Sequence, residues 1–231
     1  MRNKKKKNKN QEYTKKVGGL GFIFSAMMTF VIGICFFIHS ILILLIIGSL
    51  KKEIELFFVI FICILIIMSK LPTGRFRVFI HELKHAIFIV FTGNKINDFV
   101  VKKNSGNVSY KITKDDIVYL PLIALAPYYF PLLSLPVLIL CLWFDNTYSL
   151  ELSLLLGATL AFDLNTGIHD IHHEQDDFKK ILGGFLVAGT YIGGSIFCWV
   201  NTCLLWVIGN NNGFIFCFEN TLNALKRYFG D

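Results

Sequence analysis

Charge is what this chain has least of. Only 17% of its residues are Asp, Glu, Lys or Arg and 54% are hydrophobic, whereas ordinary soluble domains carry about a quarter charged residues. The shortage is uneven, because the apolar residues gather in blocks long enough to cross a bilayer. A soluble globular enzyme and a disordered tail protein are both excluded. The cysteines, at 35, 63, 141, 198, 203 and 217, form no CxxC pair and lie in apolar surroundings. That spacing suits neither a disulfide framework nor a cysteine zinc site, so they read as small buried apolar residues. A signal-peptide cleavage site is also missing: the first apolar block, 17–50, far exceeds a signal core, and we expect it to be retained. Internal repeats and long linkers are absent too, which leaves one membrane-embedded domain over 17–231.

The charge that is present is concentrated. Residues 1–16 carry eight Lys/Arg and one Glu, while the rest of the chain holds fifteen positive and fifteen negative side chains. A basic run directly before an apolar block marks a cytoplasmic end held at anionic lipid, rather than a nucleic-acid site. The expectation is an integral, multi-pass protein of a bacterial cell membrane with a cytoplasmic basic tail, partnered by the lipid bilayer and by no nucleic acid.

The apolar blocks are 17–50, 55–70, 78–92, 121–144, 148–163 and 181–209. They predict an all-α polytopic membrane protein of about six to seven apolar segments. The first block would span roughly 51 Å as one helix, against a hydrocarbon core of about 30 Å. It is either one overhanging helix or a hairpin turning near Gly33 to Ser40. The hairpin puts nine later basic residues with the tail and five opposite, and the positive-inside rule favours it. Between 94 and 120 the pattern alternates around Asn104-Ser-Gly and predicts a small β-hairpin. Pro121, Pro127, Pro131 and Pro136 then predict a kinked or broken helix. Gly189 and Gly193 form a GxxxG pair, a face for close helix contact.

Ionisable groups inside apolar helices are costly and mark function. His81-Glu82-Leu83-Lys84-His85 is an HExxH motif within an apolar stretch. On a helix, His81 and His85 stand one turn apart on one face and can reach one zinc ion. Glu82 beside them can take a proton from water. A catalytic zinc site needs a third protein ligand. The pattern HExxHxxGxxH is absent, because 86–91 is wholly apolar, and no Glu occurs between Glu82 and Glu151. The ligand must therefore come from a distant segment. Asp98, Asp115 and Asp116 lie in the hairpin region and read as solvated. The segment 162–178 is richer, with Asp163, His169, Asp170, His172, His173, Glu174, Asp176 and Asp177. Half of all the histidines gather there.

These features resemble the site-2 protease family of integral membrane zinc metallopeptidases, in a divergent bacterial-type form. The resemblance rests on the helical HELKHA at 81–86, Thr92-Gly-Asn-Lys, the strand-like Asn107-Val-Ser-Tyr, and Leu125-Ala-Pro-Tyr-Tyr-Phe-Pro131. It covers the central half of the chain. It implies His81 and His85 as ligands of one Zn2+ per chain, Glu82 as the general base, and an aspartate from a later helix as third ligand. The usual Asn-Pro-Leu-Asp-Gly signature is missing. Divergent relatives carry Gln-x-Asp before a Gly-rich helix, which fits Gln175-Asp176-Asp177 and points to Asp177, with Asp170 second. The family prefers Gly where this chain has Lys84, and a lysine there suggests an ammonium reaching water.

The implied activity is hydrolysis of peptide bonds in membrane-associated or membrane-spanning substrates, with the 94–120 hairpin holding an extended substrate by strand addition. Two other readings compete. His81-x3-His85 with His169-Asp-Ile-His172-His173 is similar to the boxes of di-iron lipid desaturases and hydroxylases, but these need about eight or more histidines and this chain has six. A non-catalytic scaffold or immunity-type protein that keeps its zinc site is the other.

Overall fold

The structure, a computed structural model, describes residues 20–47, 52–71, 74–103, 105–111, 119–144, 148–171 and 175–229. The basic tail, Asp115, Asp116, His172, His173 and Glu174 lie outside the described residues.

Helix α1 (Leu20–Ile47) is continuous, so the hairpin expected near Gly33 to Ser40 is not formed. The polar residues that suggested a turn are absorbed by the helix itself. His39 Nδ1 donates to the Cys35 carbonyl at 2.7 Å and Ser40 Oγ donates to that of Phe36 at 3.0 Å. Side chains bonded back by one turn need no break in the backbone.

α2 (Lys52–Lys70) and α3 (Gly74–Phe91) follow, and then the antiparallel pair β1 (Ile96–Val101) and β2 (Gly106–Tyr110). Its register runs from Ile96 opposite Tyr110 to Val101 opposite Gly106, with an irregularity between Ile96 and Asp98. Asn104, in the expected turn Asn104-Ser-Gly, lies outside the described residues; on either side of it Lys102 N donates to the Ser105 carbonyl at 2.8 Å. The proline-rich block forms two helices, α4 (Leu120–Tyr129) and α5 (Ser134–Trp143), bent by 80° across Pro131. α6 (Ser149–Ile168), the short α7 (Asp176–Lys179) and α8 (Gly184–Phe229) complete the chain. α8 breaks at Asn210, whose φ of 51° and ψ of −144° lie outside the helical range.

Among the described residues two helices, Leu20–Ile46 and Gly184–Arg227, are long and apolar enough to cross a membrane. The count rises to four if α2 with α3, and α4 with α5, each make one bent span. The structure thus supports a mostly helical chain with two to four candidate spans and a small hairpin.

Two apolar clusters organise it. One joins Ile43 of α1, Phe57 of α2, Leu156 and Leu160 of α6, and Cys203 and Trp206 of α8. The other packs Tyr128 of α4 and Phe178 of α7 against Ala188, Tyr191 and Ile192 of α8. α1 lies along α8, and the close approach is made at Gly33 and Gly194 rather than at the expected Gly189 and Gly193. A Cβ at Gly33 or Gly194 would come within 3.1 Å of the backbone N of Cys198 or Phe30. Gly189 has open space beside it, and Gly193 meets only the Phe30 ring. All six cysteines are free; Cys141, Cys203 and Cys217 are buried, whereas Cys63 is exposed on the outer face of α2.

Candidate metal centre

α3 carries the HExxH residues, and its sequence explains their orientation. Helical spacing puts His81 and His85 on one face, with ring centroids 5.0 Å apart. α7 brings the third group. Phe178 is buried against Tyr128 and Phe185, at centroid distances of 4.9 and 5.4 Å, and this anchor holds its neighbour Asp177 over the two rings. One ligand atom from each of His81, His85 and Asp177 lies within 4.8 Å of the other two.

The hydrogen bonds behind the rings settle which nitrogens face inward. His81 Nδ1 donates to Asp170 Oδ2 at 3.0 Å, and His85 Nδ1 donates to the Ile123 carbonyl at 2.7 Å. Carboxylate and carbonyl oxygens only accept, so both Nδ1 atoms carry hydrogen, and in the neutral rings both Nε2 atoms are left with lone pairs. Those Nε2 atoms stand 4.0 and 3.6 Å from Asp177 Oδ2. Three such ligand atoms could together hold a metal ion, and two imidazoles with one carboxylate are a donor set that suits zinc.

Asp177 is held from three sides. Tyr128 Oη donates to Oδ2 at 3.2 Å and Lys180 Nζ to Oδ1 at 3.1 Å. Burial favours its neutral acid, but the His85 ring, when both its nitrogens carry hydrogen, and the Lys180 ammonium outweigh that and hold the carboxyl well below the usual carboxylate range. Asp170 stands behind His81 rather than among the converging atoms. Arg77 Nε donates to Asp170 Oδ1 at 3.1 Å, and Arg77 Nη1 donates to His169 Nδ1 at 2.9 Å.

The other sequence candidates go elsewhere. Asp98 is exposed on β1, and Asp176 pairs with Lys179 on the surface. Asp163 accepts hydrogen bonds from the Leu133 and Ser134 amides and from Ser134 Oγ, which ties α6 to the start of α5. His169 faces Arg77. Lys84 is the plainest departure: expected to reach water, it is 1% exposed, and its Nζ donates to the Pro127 carbonyl and Thr166 Oγ1 at 3.4 and 3.5 Å. These acceptors on α4 and α6 supply inside the fold what water was expected to supply outside it.

Glu82, 8% exposed, lines the same cavity of about 780 Å3 as His81, His85 and Asp177. β2 forms its opposite wall through Gly106, Asn107 and Val108. Gly106 lies so close that an added Cβ would overlap the Glu82 carboxylate. Sequence reasoning missed Arg77 and Tyr128 as neighbours of the centre. Arg77 had a signal, one turn before His81 on the same helix face. Tyr128 had none beyond its place in a proline-broken segment.

A His-Glu-His helix beside a half-buried aspartate, among helices of membrane-crossing length, defines a class: proteins of membrane-metallopeptidase type. Residues 54–168, about half of the chain, match the Peptidase M50B-like family, and the chain belongs to that family, part of the site-2 protease group. The matched segment contains His81, Glu82 and His85 and ends before Asp170 and Asp177. No curated protein and no solved structure matches the chain.

Proposed function

We propose that this protein is a zinc-dependent membrane metalloendopeptidase that cleaves peptide bonds of membrane-associated or membrane-spanning substrates. The observation that carries this reading is the gathering of ligand atoms of His81, His85 and Asp177 within 4.8 Å of one another beside a cavity that Glu82 also lines. The ion would be held by His81, His85 and Asp177. When bound, zinc lowers the pKa of water and polarises a carbonyl.

The chain's own residues do the rest. Glu82 takes the proton of the attacking water and passes it to the leaving amine. Its burial against Gly106 keeps the carboxylate out of bulk solvent and aimed into the cavity. Asp170 and Ile123 hold the two rings in the tautomer that leaves Nε2 free. β2 offers a strand along the cavity wall, beside which an extended peptide can pair. Pairing of that kind unwinds a helical substrate, because its backbone groups exchange partners. The domain reading is one membrane-embedded unit over 17–231 behind the tail 1–16.

Among the described residues the di-iron alternative gains no support: His169 faces Arg77 rather than the His81 and His85 pair. A test uses transmembrane peptides reconstituted with the protein in vesicles. The wild type is expected to give fragments that sum to substrate plus one water, and the Glu82→Gln variant none. Equal fragments from both proteins would refute the proposal.

A further inference from the structure

Pro127 and Pro131 are four residues apart, and each removes a backbone donor from the neighbourhood of α4. In a regular helix the carbonyl of Ile123 would accept from the amide of residue 127, and that of Pro127 from residue 131. Both later positions are proline, which has no N–H. Two carbonyls one turn apart are therefore left free, and buried carbonyls require partners. Ile123 and Pro127 are both buried.

Those partners are adjacent residues of the HELKH helix. His85 Nδ1 donates to Ile123 O at 2.7 Å, and Lys84 Nζ donates to Pro127 O at 3.4 Å. The match is one of spacing: two consecutive α3 side chains reach two consecutive freed carbonyls of α4. The consequence for His85 is chemical. A carbonyl only accepts, so the ring hydrogen sits on Nδ1 and the Nε2 lone pair faces Asp177 Oδ2, 3.6 Å away. For His81 the same role falls to the carboxylate of Asp170. His85 is held by main chain alone.

We propose that Pro127 is a positioning residue of the metal centre: by withholding its own amide it leaves the Ile123 carbonyl to fix the tautomer and direction of His85, while Pro131 leaves the Pro127 carbonyl to Lys84. The proposal rests on His85 being a ligand, as the preceding reading has it. Its distinctive claim is that the acceptor is created by a residue that touches neither metal nor substrate.

Pro127→Ala restores an amide that competes for the Ile123 carbonyl and lets α4 straighten. Pro136→Ala is the control, because Pro136 lies in the first turn of α5, where a missing N–H costs little. Two readouts are taken on full-length protein in detergent. One is zinc affinity by competition with a chelator. The other is the 15N spectrum of labelled histidine rings, with His85 assigned by loss of its signals in His85→Gln. The expected result is an affinity about tenfold lower or worse in Pro127→Ala, in line with other outer-shell losses, together with a changed His85 Nδ1 signal and wild-type behaviour in Pro136→Ala. Wild-type affinity and wild-type His85 signals in Pro127→Ala would overturn the proposal.

If Pro127→Ala does not fold, the wild-type spectrum decides: Nδ1 of His85 must carry hydrogen, and a bare Nδ1 overturns the proposal. A wild type that binds no zinc would sink the peptidase reading instead. The metal-free His85 signals would still test the hydrogen bond.

Discussion

Single side chains divide into those that face the converging point and those that stand behind it, and the two groups respond differently to substitution. Glu82→Gln keeps size and hydrogen bonding but cannot take a proton. Turnover is expected to fall by roughly 10²–10⁴-fold with zinc content unchanged, measured by peptide cleavage beside elemental analysis. Asp177 and Asp170 separate by the same logic. Asp177→Ala removes one of the three converging atoms and is expected to abolish stoichiometric zinc binding. Asp170→Ala removes only the acceptor behind His81 and the partner of Arg77. Its affinity should fall by about 10–100-fold while one site per chain is still filled at high zinc. Chelator competition distinguishes the two, and equal losses would contradict the separate roles. Sequence alone named both aspartates without telling them apart, because it carries no record of which carboxylate is anchored by Phe178 and which by Arg77. It also misplaced Lys84: a lysine on an apolar helix points to water unless buried acceptors exist, and those acceptors lie 43 and 82 residues further along the chain.

The helices and the hairpin are where local pattern succeeded and failed for visible reasons. The hairpin within 94–120 and the break across Pro131 were legible because strand alternation and proline both act locally. The expected turn in α1 was not formed, since His39 and Ser40 satisfy themselves within the helix. The contact between α1 and α8 moved from Gly189 and Gly193 to Gly33 and Gly194, because a small-residue face is used only where a partner helix happens to lie. Two predictions belong here. Gly106→Ala pushes β2 away from Glu82, and a displacement of about 1 Å at a reacting group can cost 10²-fold in rate; zinc binding should be unchanged. Gly194→Val forces α1 from α8 and should destabilise the protein by roughly 1–3 kcal/mol, read from thermal unfolding in detergent. No loss in either case would mean that these close approaches relax without cost.

For the whole molecule, a continuous α1 that crosses the membrane once predicts that residues before it and Lys52, at the start of α2, are reached from opposite faces, whereas a hairpin predicts the same face. Lys52→Cys, in a background with the native cysteines replaced, should react with a membrane-impermeant maleimide from the face opposite a label in the tail. Labelling from one face only would restore the hairpin. The family match accounts for the HExxH half of the centre, and α7 supplies the other half from beyond the matched segment. The site is therefore completed by the fold as a whole and not by one motif.

The most direct test of the central claim is the metal content of the purified, detergent-solubilised protein beside a variant carrying His81→Ala and His85→Ala. The account predicts one zinc per wild-type chain and none in the variant. Two irons per chain, or no metal in either protein after zinc has been offered, would contradict it.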